Sequence, residues 1–440
     1  MDQRHPVSVR DAEKRGERGW GVTHMARPDA QEVVVLTHML GRFLDDFGNV
    51  VKYLDADGTR VVVYASVPRD SGSFSTDSAA YFDAYRDKLP ERVEVRPLPY
   101  VRGGKATVLD VLTLVRLGFT LARRHPHAMF MMWSVYLIIA CGVPLRLFNR
   151  RSLYMVTGLG PVLGSKGRKF LLFRTVILTV YAYLMSGRNS RCLNHNHEDK
   201  AYLARRLRAD RGKFFVTPGC GVDPEVFPYV EQRPGNTVPV IAVPARLIED
   251  KGIREAVAAS GVLRDRGVVH EMRLTGAVEP YPWIRITTED IERYEAGNPC
   301  VRFIGFQPTM PPVYAAADVV CYPTRYPEGT PTVLIEAAAS GRPAVTCDTV
   351  GAREIVLDGR TGFVVPQRDV VALADRLQQL LEDPSLYERL RRAAHRHFLA
   401  GYTKDMALAA TLEAFESVGF SFHAPRTAAD IRVALPASSS

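Results

Sequence analysis

The sequence predicts an α/β protein made of two doubly wound, Rossmann-like domains. Three observations carry that expectation. Its 440 residues exceed what one ordinary hydrophobic core organises and suit two cores of about 200 residues each. Short β-branched runs alternate with amphipathic stretches of helical length, as in doubly wound sheets. The alternation stops at a Pro- and Gly-rich stretch, PGCGVDPEVFPYVEQRPGNTVP, and then begins again. Apolar residues at 46% and charged residues at 24% exclude wholesale disorder.

Residues 1–27 are polar, lack the apolar centre of a secretory signal and read as a disordered leader. In the first domain, 28–218, the runs at 33–37, 61–65, 93–97, 128–134, 152–157 and 213–217 read as parallel strands. Between them, GRFLDDFGNVVKYLDADG and TVLDVLTLVRLGFTLARRH carry apolar residues at helical spacing. A linker at 219–237 leads to the second domain, 238–400. Its strands are VPVIAVPA, EMRLTGA, VRFIGF, DVVCYPT, PAVTCD and GFVVP, and helices at 370–381 and 384–399 close it. A C-terminal helix at 401–422 and a disordered tail at 423–440 complete the expectation.

The six cysteines are scattered without a C-x-x-C pair, which predicts a reducing compartment and no metal cluster. The net charge of +9 is uneven: 111–197 holds no Asp or Glu but many Arg and Lys, so this block is expected to face an anion. The aromatic and basic interleaving of single-strand binders and the zinc spacings are absent, and nucleic acid is not expected as a partner. An anionic membrane surface or a phosphorylated lipid fits better, because the same block is the most apolar part of the chain. Within it, 128–145 is uncharged and long enough to be considered for a membrane span, but a Gly-Val-Pro break near its end favours a buried strand running into a helix. KGRKFLLFRTVILTVYAYLMSG gathers its basic residues at one end and suits a helix lying in the membrane interface.

Two motifs carry chemistry. In YPEGTPTVLIEAAASGRP, Glu328 stands in a loop after a strand and Glu336 lies on the helix which that loop opens. Gly329 lets the backbone approach a ligand, and the free amides of the first helical turn suit phosphate or sugar hydroxyls. In PARLIEDKGIREAV, Arg246 and Lys251 leave one strand-to-helix loop, where two cations can pin a diphosphate and stabilise charge building on it as a leaving group. A solvated charge pair is the bland alternative for the second motif.

Together with VRFIGF and GAREIVLDGRTGFVVP, these motifs resemble the C-terminal domain of the family 4 retaining glycosyltransferases, whose two-domain architecture, facing across a cleft, is called GT-B. The resemblance runs from about 216 to 366. It implies that Arg246 and Lys251 bind the donor diphosphate and Glu336 the ribose. Glu328, with Gly329, Thr330, Pro331 and Thr332, would hold the transferred sugar, and Gly305 and Phe306 would border the nucleobase. It also implies transfer without a metal or other cofactor, from a nucleoside-diphosphate sugar, a UDP-sugar ahead of a GDP-sugar. The first half is similar, more weakly, to the subgroup that extends polyprenyl-diphosphate-linked saccharides, through VRPLPYVRGG, the TGLG loop and RCLNHNHEDKAYL. That subgroup has histidines where this chain carries Asp46 and Trp133 or Ser134, and His38 is not a match. The implied enzyme moves a hexose or N-acetylhexosamine to a lipid-linked saccharide in surface polysaccharide assembly, peripheral to the cytoplasmic face of the cell membrane; a soluble glycosyltransferase on a small-molecule acceptor and a non-catalytic sugar-nucleotide-binding protein are the alternatives.

In TGLGPVLGSKGRK, Gly158 and Gly160 followed by Lys166 and Arg168 could cradle the acceptor's diphosphate; a tight turn with solvated cations is the alternative. The acid that would hold a nicotinamide ribose is missing downstream. His195 and His197 flank Asn196 without ligand partners at metal spacing, which reads as a polar turn capping a helix that starts near Asp199.

Overall fold

The computed structural model describes residues 31–66, 78–99, 108–159, 171–230, 237–278 and 286–423. Two parallel sheets organise them. The first has seven strands in the order β3-β2-β1-β4-β5-β6-β7, the second six in the order β10-β9-β8-β11-β12-β13. The first sheet comprises β1 (Glu32–Thr37), β2 (Arg60–Ala65), β3 (Glu94–Pro97), β4 (Met129–Trp133), β5 (Arg151–Val156), β6 (Ser190–Asn194) and β7 (Phe214–Val216). The second comprises β8 (Val240–Pro244), β9 (Glu271–Thr275), β10 (Val301–Gly305), β11 (Val319–Tyr322), β12 (Ala344–Cys347) and β13 (Gly362–Val365). This is the two-domain Rossmann-like architecture that the alternation predicts. One strand, β6, is not among the six runs expected for the first domain. Its sequence SRCLN offers only Cys192 and Leu193 as apolar residues, so β propensity does not mark it.

Helix α1 (Leu40–Ala56) buries Leu40, Phe43, Leu44, Phe47, Val50, Val51 and Leu54, the three- and four-residue spacing of a one-faced helix. It covers one face of the first sheet. After the short α2 (Ser78–Asp83), the other face is covered by α3 (Val108–Arg124), α4 (Val135–Leu147), α5 (Leu171–Met185) and α6 (His197–Leu207). The uncharged stretch 128–145 is therefore β4 running into α4, with Pro144 inside the last turn. No helix among the described residues is long and apolar enough to cross a membrane. In α5 only Leu178, Tyr181, Leu184 and Met185 are buried, while Leu171, Leu172, Phe173 and Val176 stand exposed at its first turns. The later turns of the helix pack into the core and its first turns present apolar side chains at the surface.

The second sheet carries α7 (Ile253–Asp265), α8 (Thr288–Gly297), α9 (Pro311–Ala316), α10 (Thr332–Ala339), α11 (Ala352–Ile355), α12 (Val370–Glu382) and α13 (Pro384–Gly401). The last helix, α14 (Lys404–Glu416), returns to the first domain. Its Leu408, Leu412 and Phe415, with Phe420 beyond it, join the core of Val33, Phe47 and Tyr53. Full burial of a side chain of this size contributes about 1.5–3 kcal/mol, so the chain's end is part of the first domain's core. Arg151 and Arg191, from the acid-free block, donate to the carbonyls of Gly419 and Ser417 in that same segment, and Arg150 donates to Ala122 and Pro126. Part of the block's positive charge is thus spent on backbone carbonyls. The six cysteines are free thiols.

Candidate functional site

In an open parallel sheet, ligands bind at the carboxyl ends of the strands where the strand order reverses. In the second sheet the order reverses between β8 and β11. The loop after β8 carries Arg246 and Lys251, and the loop after β11 carries Glu328. Lys251 ends a 3-10 turn, Glu249–Lys251, and Gly252 follows it with φ of 74°. A Cβ on Gly252 would lie 2.1 Å from the carbonyl oxygen of Pro323, so only glycine lets the two loops meet this closely.

That approach delivers Lys251 to Glu328. Lys251 Nζ donates to Glu328 Oε1 at 2.6 Å and to the Tyr322 hydroxyl at 2.6 Å, and that hydroxyl donates to the same Oε1 at 2.7 Å. The Lys251 side chain is 5% exposed and that of Glu328 22%. Burial pushes the Lys251 ammonium below the usual lysine range against the pull of Glu328, and the charges of Arg246 and Arg42 push the same way. A desolvated ammonium beside a carboxylate and a phenol is poised to exchange one of those partners for a ligand anion. Arg246 stands exposed at the end of β8.

Glu336 lies on α10, where Tyr314 of α9 donates its hydroxyl to Oε2 at 2.6 Å. Burial raises the Glu336 carboxyl above its usual range; the Tyr314 hydrogen bond and the Arg42 charge oppose that. Tyr314 is itself fixed, since the fully buried Arg342 donates Nε to its carbonyl at 2.9 Å. Gly305 ends β10 with φ of 73°, and the Phe306 ring beyond it is 69% exposed.

The loop Gly329–Thr332 makes the seam between the domains. Thr330 Oγ1 donates to the carbonyl of His195 at 2.6 Å, and Asn196 Nδ2 donates to the carbonyl of Gly329 at 2.8 Å. A Cβ on Gly329 would lie 1.7 Å from the Thr157 carbonyl, and one on Gly158 would lie 3.3 Å from the Gly329 amide nitrogen. Trp133 Nε1 donates to Thr157 Oγ1 at 3.1 Å, which ties the end of β4 to the same seam. Farther along, Arg353 makes a two-pronged ion pair with Glu198, and Glu354 accepts from the amide of His197 at 2.8 Å. Pro331 is buried, and Thr332 Oγ1 lies 3.7 Å from Cys220 Sγ. Asn196 caps α6 by accepting from the Asp199 amide, so the helix starts at His197, two residues before the expected position, and the turn is the capping turn that its polar residues predict. Among the described residues, no group of His, Cys, Asp and Glu could hold a metal ion.

Of the sequence-derived candidates, Lys251 and Glu328 are brought into contact and Arg246 acts electrostatically on Lys251. Gly158 is placed against Gly329 at the seam, while Gly160, Lys166 and Arg168 lie outside the described residues. Sequence reasoning missed Tyr314 and Tyr322, which fix the two glutamates, and Arg42. It also missed the seam's use of Thr330.

Residues 238–383 match the family described as glycosyl transferases group 1. A glycogen synthase of Mycobacterium tuberculosis is 28% identical over 197 residues, covering 44% of this chain and 46% of that protein. The colanic acid biosynthesis glycosyltransferase WcaL of Salmonella typhimurium is 34% identical over 167 residues, covering 36% of this chain and 40% of its own length. The chain thus spans less than half the length of these curated relatives. The fold is that of solved GT-B glycosyltransferases: Anabaena HepE, in complex with UDP and glucose, superposes with a TM-score of 0.65 at 17% identity over 88% of this chain and all of that one. Arg246, Lys251, Glu328 and Glu336 all lie within the segment that matches the glycosyl transferases group 1 model, set in a two-domain GT-B fold.

Proposed function

We propose that the chain is a retaining glycosyltransferase of polysaccharide assembly, moving a hexose or N-acetylhexosamine from a UDP-sugar to a lipid-linked saccharide. The observation that carries the reading is the Lys251–Glu328 contact at the strand-order reversal of the segment that matches the group 1 model, with Arg246 beside it and Glu336 one turn into α10. Arg246 and Lys251 take the donor diphosphate, Glu336 the ribose and Glu328 the sugar. On binding, the diphosphate draws Lys251 from Glu328, and the freed carboxylate accepts from the sugar's hydroxyls. The bond from the anomeric carbon to the diphosphate oxygen then breaks while the acceptor oxygen bonds to the same face. The acceptor's proton passes to the departing diphosphate. Such a step needs a cationic clamp and positioning, and no second carboxylate opposite the sugar.

The division of roles is testable by steady-state kinetics of transfer from UDP-sugars. Glu336→Gln is expected chiefly to raise the donor KM and Glu328→Gln chiefly to lower kcat. Identical behaviour of the two variants would sink the assignment. Absence of both transfer and UDP-sugar hydrolysis in the parent would leave a binding protein rather than an enzyme.

The lipid-linked acceptor is supported by the surface around α3 and α5. Crossover helices in a parallel sheet begin at the carboxyl edge of the strands, so both helices open on the cleft side of the first domain. Their first turns expose Leu109, Leu112, Leu171, Leu172 and Phe173, next to a sequence rich in Lys and Arg. Apolar turns beside cations suit peripheral attachment to an anionic leaflet, where each Lys or Arg near the surface is worth about 1 kcal/mol. The protein is expected to sediment with anionic liposomes at low salt, to be partly released at high salt and to bind neutral liposomes poorly. Replacing Lys166, Arg168 and Lys169 by Glu should abolish sedimentation and leave UDP binding unchanged. Sedimentation of that variant like the parent would overturn attachment through this basic cluster.

A further inference from the structure

One cation in the cleft comes from the opposite domain. Arg42 stands in the first turn of α1, directly after β1, and β1 and β4 are the strands between which the order of the first sheet reverses. It therefore occupies, in the first domain, the place that Arg246 and Lys251 occupy in the second. The Arg42 charge acts on Lys251, Glu336 and His195, which sets it at the cleft and close to the donor-side groups.

Its geometry is held rather than left to chance. Arg42 Nε donates to Asp46 Oδ2 at 3.2 Å, one helical turn on; the Asp46 side chain is 8% exposed and that of Arg42 57%. The turn that presents Arg42 is fixed by Gly41, where a Cβ would lie 2.6 Å from the Tyr85 ring. Asp46 thus grips one edge of the guanidinium and leaves its terminal nitrogens toward solvent. Arg42 and Lys251 each hold a carboxylate, Asp46 and Glu328, and with Arg246 they make three cations from two domains whose remaining mutual repulsion a further anion between them would offset. The planar fork of Arg is suited to two oxygens of a phosphate. His195, buried behind Arg42 with its Nε2 unpartnered and its pKa pushed down to about 3 by burial, adds no competing charge.

We propose that Arg42 closes on the donor's diphosphate from the first domain, as a third cation of the clamp, with Asp46 as its positioning residue. This rests on the reading that Arg246 and Lys251 hold that diphosphate. Because Arg42 belongs to the other domain, its contact also makes diphosphate binding and domain closure one event: the ligand fills the gap that otherwise keeps like charges apart.

The test is calorimetric titration of the full chain with UDP, and NMR titration with uridine, which lacks the diphosphate. Arg42→Ala is expected to weaken UDP by about 10- to 100-fold and uridine not at all, as for loss of a hydrogen bond to a charged group. Arg42→Lys should recover part of the loss, and Asp46→Asn, which frees the guanidinium, should fall between parent and Arg42→Ala. Equal weakening of UDP and uridine would show a merely structural role and overturn the proposal. So would parental UDP affinity in Arg42→Ala while Lys251→Ala has lost it. Parental affinity in both variants would instead remove the donor-site reading itself.

Discussion

Lys251→Ala is expected to lower turnover with a UDP-sugar by roughly 10²–10³-fold, the equivalent of about 2.7–4 kcal/mol of transition-state stabilisation. The size follows from where the ammonium sits. It is almost wholly desolvated between Tyr322 and Glu328, and in that surrounding a charge acts on a developing anion far more strongly than it would in water. Its pKa is held below the usual lysine range by burial, so the unliganded site already favours an incoming anion. Lys251→Met, which keeps the aliphatic stem, should lose as much turnover as the alanine variant if charge is what matters. Arg246→Ala should behave similarly, though its exposed position points to the smaller end of the range. The check is steady-state transfer together with thermal unfolding. Near-parental turnover in both Lys251 variants would remove Lys251 from the chemistry, whereas a collapsed melting temperature would show that the kinetic loss reports folding.

What the sequence makes legible here depends on how local the cause is. Arg246, Lys251 and Glu328 stand out because each occupies a strand-to-helix loop, and Glu336 because it lies just past the first turn of the helix that such a loop opens, positions that alternation assigns. The two sheets are legible for the same reason, since Val-rich runs such as VVVLT and VVVYA are buried on both faces. The strand β6 is not, because SRCLN buries polar Ser190 and Asn194, and a polar strand is set by its neighbours rather than by its own pattern. Nor is the return of α14 to the first domain: periodicity says that Leu408, Leu412 and Phe415 share a face, not what they pack against. The roles of Tyr314 and Tyr322 depend on pairings across 22 and 71 residues, to Glu336 and Lys251. Asp46 shows the gap most plainly. Its position catches the eye in comparison with histidine-bearing relatives, yet its partner Arg42 is apparent only once β1 and β4 are seen to flank the reversal.

Gly329→Ala is expected to cost almost as much activity as removing Lys251, although glycine contributes no chemistry. The added Cβ would lie 1.7 Å from the Thr157 carbonyl and 3.0 Å from His195 Cβ, both in the opposite domain. No rotamer relieves a Cβ contact, so either the loop backs away or the domains part. Overpacking of this kind costs about 1–3 kcal/mol where it can be absorbed. It falls on the peptide next to Glu328, whose carboxylate sits within 2.6 Å of Lys251. A displacement of about 1 Å at such a site can cost roughly 10²-fold in turnover. The seam offers a second readout. Gly329 O accepts from Asn196 and Thr330 donates to His195, so a displaced loop loses both cross-domain bonds, and the cleft should open. Small-angle scattering of the unliganded variant should therefore report a larger radius of gyration than the parent, and UDP should shrink it less. By contrast Arg353→Ala, which removes the outer ion pair with Glu198 and the pair with Asp348 in its own domain, should loosen the seam with a turnover loss of a few-fold, because both pairs are partly exposed and screened by salt. Parental turnover and scattering in Gly329→Ala would mean that the loop tolerates a side chain, and that the seam is not what holds Glu328 in register with Lys251.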